Sequence, residues 1–92
     1  MAMAVVQKER TLRVSTRKAD SPYRVHTDDI DAGDILRLTV CDEHAPEEAL
    51  AVFEFGGDDL SQKDSIHFHA EKSAGLWRIE FRGIRPLAVT VG

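Results

Sequence analysis

Two histidines separated by one residue are the feature of this sequence best suited to chemistry. Between Ser65 and Ala70, apolar and polar residues alternate, as side chains do along a β-strand. His67 and His69 would then point to the same side, about 6.5–7 Å apart, and could chelate one metal ion. Zinc or copper needs at least one further ligand. The candidates in the sequence are Cys41, His44, His26 and Glu80.

The neighbours expected for these histidines argue against a cation. If residues 65–70 and 76–82 form a hairpin with a shared inner face, the outward neighbours of the histidines are Arg78 and Glu80. A guanidinium beside the pair would repel a metal ion. We therefore expect exposed histidines that pair with Glu80 and hold no metal. A metal-binding β domain built on His67 and His69 is the alternative.

Three other motifs resemble known sites without completing them. Cys41 lies three residues before His44, but the acids between them disfavour the thiolate that a nucleophile requires. The acidic run 28–34 contains the glycine of a calcium loop but has Ile30 and an alanine at ligand positions. Residues 56–59 lack the Lys-Ser/Thr of a phosphate-binding loop, so we predict a turn there. We expect no enzyme.

Arginines on the polar side of the predicted strands suggest a binding surface. They are Arg13, Arg24, Arg37, Arg78 and Arg82. Arginine offers a planar fork of donors to carboxylate or phosphate and is enriched at protein interfaces. We expect a basic stripe across one sheet face, with weak cross-strand ion pairs on a solvated face as the alternative. The predicted binding residues are Arg37, His67, His69, Arg78 and Arg82.

Charge and cysteine content restrict the class of partner. The net charge is −4 and the pI about 5.5, which argues against nucleic acid and anionic membranes. The aromatic residues fall on the inner register, so they offer no stacking platform for bases. Cys41 is the single cysteine, and the N-terminus has neither a basic region nor a long apolar run. We predict a cytosolic protein without a cofactor that binds an unidentified protein partner.

Short strands must position all of these residues. The candidates are residues 3–8, 10–17, 23–27, 35–41, 50–55, 65–70, 76–82 and 87–91. They predict a single all-β domain, residues 1–92, that forms a compact antiparallel β-sandwich of seven or eight short strands. A small closed or partly open β-barrel is the alternative. A hairpin should join 65–70 to 76–82, and one helical turn is predicted at Pro46–Leu50.

Alternation also predicts the core and a self-association site. The expected core residues are Leu12, Val14, Tyr23, Val25, Leu36, Leu38, Val40, Phe53, Phe55, Ile66, Phe68, Trp77, Ile79, Phe81, Val89 and Val91. Residues 2–6 are apolar on both registers, as in a strand covered on both sides. We therefore predict a homodimer with this segment at the contact. The predicted function is a non-catalytic protein-interaction module.

Overall fold

A computed structural model describes residues 8–16, 20–61 and 63–91, without the side chains of residues 20 and 21. Within these residues the chain forms seven strands and one short helix. They are β1 (Glu9–Thr16), β2 (Asp20–His26), β3 (Ile35–Asp42), β4 (Ala45–Gly56), α1 (Gly57–Leu60), β5 (Ser65–Ser73), β6 (Leu76–Phe81) and β7 (Ala88–Val91). The segment 2–6 and nearly all of the strand expected at 3–8 lie outside the described residues.

The strands form two sheets, which confirms the predicted all-β sandwich over a closed barrel. The four-stranded sheet has the order β1-β3-β4-β7, and the three-stranded sheet has the order β2-β5-β6. Every pair is antiparallel except β1 with β3. These two strands are parallel because β2, which lies between them in sequence, belongs to the other sheet and gives the chain room to cross over.

The predicted hairpin between β5 and β6 is confirmed. The two strands are antiparallel, and His69 lies opposite Glu80. Ala74 and Gly75 form the turn with φ angles of 51° and 80°. Two successive positive φ values are typical of the tight turns whose twist matches that of the flanking strands.

Tertiary pairing replaces the helical turn predicted at Pro46–Leu50 with strand. Ala45 and Ala49 pair with the end of β3, across two register shifts. The Arg13 guanidinium also donates a hydrogen bond to the Pro46 carbonyl. Ladder bonds from a neighbouring strand outweigh the weak local preference of one proline and two acids for helix.

The single helix forms instead at α1, where a turn was predicted. Gly57 donates a backbone hydrogen bond of 2.6 Å to the Asp34 carbonyl, and a Cβ at Gly57 would overlap the Asp31 carbonyl oxygen. The loop before β3 therefore packs directly on the start of α1, and only glycine permits this approach. Within the described residues, no helix is long and apolar enough to cross a bilayer.

The core lies between the sheets and follows the predicted alternation. The buried apolar residues of this core are Val25, Ile30, Leu36, Leu38, Val40, Cys41, Ala51, Phe53, Phe55, Leu60, Ile66, Phe68 and Ala70. Phe81 joins the two sheets, with ring centroids 4.7 Å from Phe53 and 5.0 Å from Phe55 across the sandwich. Burial of each valine, leucine, isoleucine and phenylalanine side chain of the core stabilises the fold by about 1.5–3 kcal/mol.

Coverage of the core weakens toward one side of the sandwich. Trp77 and Ile79 are half-buried rather than enclosed. The prediction that Val89 and Val91 are core residues is wrong, because they remain 51% and 80% exposed. The three-stranded sheet ends at β6, so nothing in the described part of the chain covers β7, the edge strand of the larger sheet.

Candidate interaction surfaces

The predicted binding arginines lie on two opposite faces, so the single basic stripe is wrong. Arg37 is on the outer face of the four-stranded sheet, whereas Arg78 on β6 and Arg82 just after it belong to the three-stranded sheet. Side chains that alternate outward from two packed sheets point in opposite directions. The sequence pattern identified outward positions but carried no information about which sheet each strand joins.

Arg37 connects three neighbouring strands. Its Nη2 lies 3.0 Å from Oε1 of Glu54 on β4 and 3.5 Å from Oε1 of Glu9 on β1. Ion pairs of this exposure contribute about 0–1 kcal/mol each. The guanidinium is thus engaged by two carboxylates of its own sheet, as in the solvated-face alternative.

His67 lies in a row of polar groups on the outer face of the three-stranded sheet. Arg24 is its partner across β2, and the backbone N–H of Arg82 donates a 2.9 Å hydrogen bond to its carbonyl. Its Nε2 lies 3.2 Å from Oγ of Ser65, which also accepts a 3.2 Å hydrogen bond from Nε of Arg24. The neighbours of His67 are therefore Arg24 and Arg82, not Arg78 as predicted.

His69 lies in the next row, opposite Glu80 as expected. Glu80 forms an ion pair with Arg78 on its own strand, and Arg78 lies opposite Glu71. A shallow hollow of about 310 Å³ borders these rows and is lined by Pro22, Tyr23, His67, Phe68, His69, Glu80, Phe81 and Arg82.

The histidine pair has no third metal ligand in the described part of the chain. No group of three His, Cys, Asp or Glu side chains converges there. Cys41, one of the proposed ligands, is fully buried in the core. The positive neighbours Arg24 and Arg82 further disfavour a cation. The geometry thus offers no support for the metal-binding alternative.

An apolar hollow of about 230 Å³ opens on the side of the sandwich where coverage weakens. It is lined by Leu50, Ala51, Phe53, Trp77, Ile79, Val89 and Val91. We call these residues the open apolar edge. They come from β4 and β7 of one sheet and β6 of the other, so the hollow runs between the two sheets. None of its lining residues carries a charge.

Charged groups next to Trp77 mark one limit of the open apolar edge. Nζ of Lys72 lies 5.7 Å from the Trp77 ring centroid and 3.8 Å from Oδ2 of Asp42. The backbone N–H of His44, which donates to Oδ1 of Asp42 at 3.0 Å, is the main cause of a lowered Asp42 pKa. Burial is the next largest influence and raises this pKa, while the indole N–H of Trp77 and the Lys72 charge lower it by smaller amounts.

The Trp77 indole nitrogen is itself buried, and no described residue lies within hydrogen-bond geometry of it. Its N–H therefore acts on the Asp42 carboxylate as a longer-range dipole rather than through a direct hydrogen bond.

A third hollow, of about 430 Å³, lies between α1 and the segment that follows β6. Its lining is Asp58, Asp59, Lys63, Gly83, Ile84 and Arg85. Two acids and two bases balance each other there, so the surface indicates no particular class of ligand.

Sequence reasoning missed the open apolar edge because it assigned β7 to the core. A signal for it was present, since residues 86–92 contain no charged side chain. An outer strand of a soluble sheet usually carries charges that block pairing with other chains.

No protein-family model, curated protein or solved structure matches this chain. Function is therefore inferred from the surfaces themselves, because a β-sandwich is compatible with many activities. Among the three hollows described above, the open apolar edge is the one lined by apolar side chains alone.

Proposed function

We propose that this domain is a non-catalytic, cytosolic protein-interaction module that binds an extended apolar strand at the open apolar edge. One observation carries the proposal. Val89 and Val91 belong to the inward register of a sandwich, yet they are 51% and 80% exposed beside half-buried Trp77 and Ile79. Apolar side chains arranged in this way are typical of a surface that a partner covers.

The backbone of β7 supports strand addition as the binding mode. β7 pairs with β4 along one edge, and no described strand pairs with its other edge. Its free N–H and C=O groups are a template for another strand. The four residues Ala88–Val91 include no charge and no proline that would block pairing.

Burial of the apolar lining by a bound strand contributes free energy of binding in addition to the backbone hydrogen bonds. Burying a valine side chain fully is worth about 1.5–3 kcal/mol, at roughly 25 cal/mol per Å². Val91 has most of its surface available for this, and Val89 about half. An occupant therefore needs alternating apolar side chains that reach toward Trp77 and Ile79.

A binding role also agrees with the placement of reactive groups. The thiol of Cys41 is fully buried, and no titratable side chain lines the open apolar edge. The single cysteine supports an intracellular location.

Titration of the isotope-labelled protein with a short peptide tests this proposal by NMR. The probe is a hexapeptide of alternating threonine and valine with a lysine at each end, and the control peptide has serine in place of each valine. We expect shifts at β7 and at the Trp77 indole with the valine peptide, and about tenfold weaker binding of the serine peptide. Val91→Lys should lose binding, whereas Leu76→Lys should retain it, because Leu76 is similarly exposed but outside the hollow.

Two results would overturn the proposal. One is the absence of any shift at millimolar peptide. The other is a set of shifts centred on Arg24, His67 and Arg82, which would place binding on the outer face of the three-stranded sheet instead.

A further inference from the structure

We infer that the strand bound at the open apolar edge is β7 of a second copy of this chain, so that the protein is a two-fold homodimer. This inference rests on the proposed function, because it names the occupant of the same surface. It also moves the dimer contact from the N-terminal segment, where the sequence predicted it, to the other edge of the four-stranded sheet.

Pairing of β7 with β7 of a second copy fills the free strand edge of both copies in a single contact. If two β7 strands pair antiparallel about a two-fold axis perpendicular to the sheet, each sheet keeps its inner face on the same side. Val89 and Val91 of both copies then lie side by side, next to Trp77 and Ile79 of both copies. Two four-stranded sheets become one continuous sheet, and the free edge of each β7 disappears.

The charge distribution permits this contact despite an acidic chain. Each copy carries a net charge of −4, but the residues that line the hollow carry none. Repulsion between copies is therefore long-range, and salt screens it over about 10 Å at 0.1 M. A basic partner would show the opposite behaviour, since salt would weaken its attraction to an acidic chain.

The size of the surface sets the expected affinity. The hollow is lined by seven residues, and stable interfaces use about 20–30 residues on each side. A contact of this size predicts a weak dimer, with a dissociation constant in the micromolar range, rather than a permanent one. Dimerisation should consequently depend on concentration.

Sedimentation of the full chain between about 5 and 500 µM tests the inference across that range. The variants are Val91→Lys, the milder Val91→Thr, the matched control Leu76→Lys and a chain lacking residues 1–7. Val91 is 80% and Leu76 75% exposed, so neither substitution disturbs the core, and far-UV circular dichroism verifies folding. Each protein is measured at about 0.1 M and 0.5 M salt.

We expect a concentration-dependent dimer whose dissociation constant rises at least tenfold in Val91→Lys and less in Val91→Thr. Leu76→Lys and the shortened chain should dimerise like the wild type, and higher salt should not weaken the dimer.

A dimer that Val91→Lys leaves intact, or one lost on removal of residues 1–7, would refute the inference. A chain that stays monomeric but binds the valine peptide would refute it and leave the proposed function standing. A monomer that binds no peptide would refute both.

Discussion

Replacing Phe81 by alanine should remove the main contact between the two sheets. The Phe81 ring lies 4.7 Å from Phe53, 5.0 Å from Phe55 and 5.4 Å from Phe68, measured between centroids. The first two rings belong to β4 of the opposite sheet, and the third is its partner on β5.

The magnitude follows from these contacts and from burial. A phenylalanine-to-alanine change in a core costs about 3–5 kcal/mol, and each aromatic pair contributes about 0.5–1.5 kcal/mol beyond its buried area. Because Phe81 is half-buried, we expect a loss of about 3–4 kcal/mol. A chain of 92 residues has a total stability of about 5–14 kcal/mol, so this loss is a substantial fraction of the total.

Trp77→Ala is the matched control on the same strand. Trp77 is half-buried on the rim of the open apolar edge, and the Lys72 ammonium lies over its ring. We expect this substitution to cost about 2 kcal/mol, below the range for a fully buried ring. Trp77 therefore contributes less to the core than its place among the expected core residues implies.

Urea unfolding at low micromolar concentration measures both losses while the chain is monomeric. Trp77 fluorescence reports on Phe81→Ala, and circular dichroism reports on Trp77→Ala. With a slope of about 1–1.5 kcal/mol per molar urea, the expected loss of about 3–4 kcal/mol lowers the Phe81→Ala midpoint by about 2–4 M. A fall below about 0.5 M, or a larger loss in Trp77→Ala than in Phe81→Ala, would refute this account of the core.

Three further predictions concern the loop before β3, the Asp42 carboxylate and the histidine pair. Gly57→Ala should cost about 3 kcal/mol or more because its Cβ would overlap the Asp31 carbonyl oxygen, and an unchanged melting temperature would contradict the packing of α1. The His44 backbone N–H holds the Asp42 pKa below its usual 3.8, so its stabilising effect is present above about pH 4 and is lost as pH falls through the lowered pKa. The stability difference between wild type and Asp42→Asn should therefore shrink on acidification from about pH 5 to about pH 3, and a constant difference would be inconsistent with this cause. Metal analysis of protein without a histidine tag should find less than about 0.1 zinc or copper per chain; about one per chain, lost in a His67→Ala, His69→Ala double variant, would restore the metal-binding interpretation.

Local pattern in the sequence was sufficient for the strands and for most of the core. Alternation identified Leu36, Leu38 and Val40 as inward residues, and they are fully buried. The short turn at Ser73–Gly75 predicted the β5–β6 hairpin. Both properties depend on neighbours in sequence, because side chains alternate along any extended strand and a tight turn leaves its flanking strands adjacent.

Residues without an alternating context were not predictable in this way. Ile30 and Leu60 are buried, although Ile30 lies in a loop and Leu60 in a helix that forms where Gly57 meets the backbone of a distant loop. Pro46 lies in a strand because its segment pairs with β3. Each outcome depends on a contact between parts of the chain that local propensity cannot report.

The candidate site was decided by tertiary structure. The sequence by itself determined that Trp77, Ile79, Val89 and Val91 share an inward register, which is a property of each strand alone. Only the assembly of the sheets decided that a three-stranded sheet leaves the edge of a four-stranded one uncovered. The same assembly placed Arg37 and Arg82 on opposite faces. Sheet membership depends on the free energy of pairing and packing distant strands, so the pattern within one strand does not contain it.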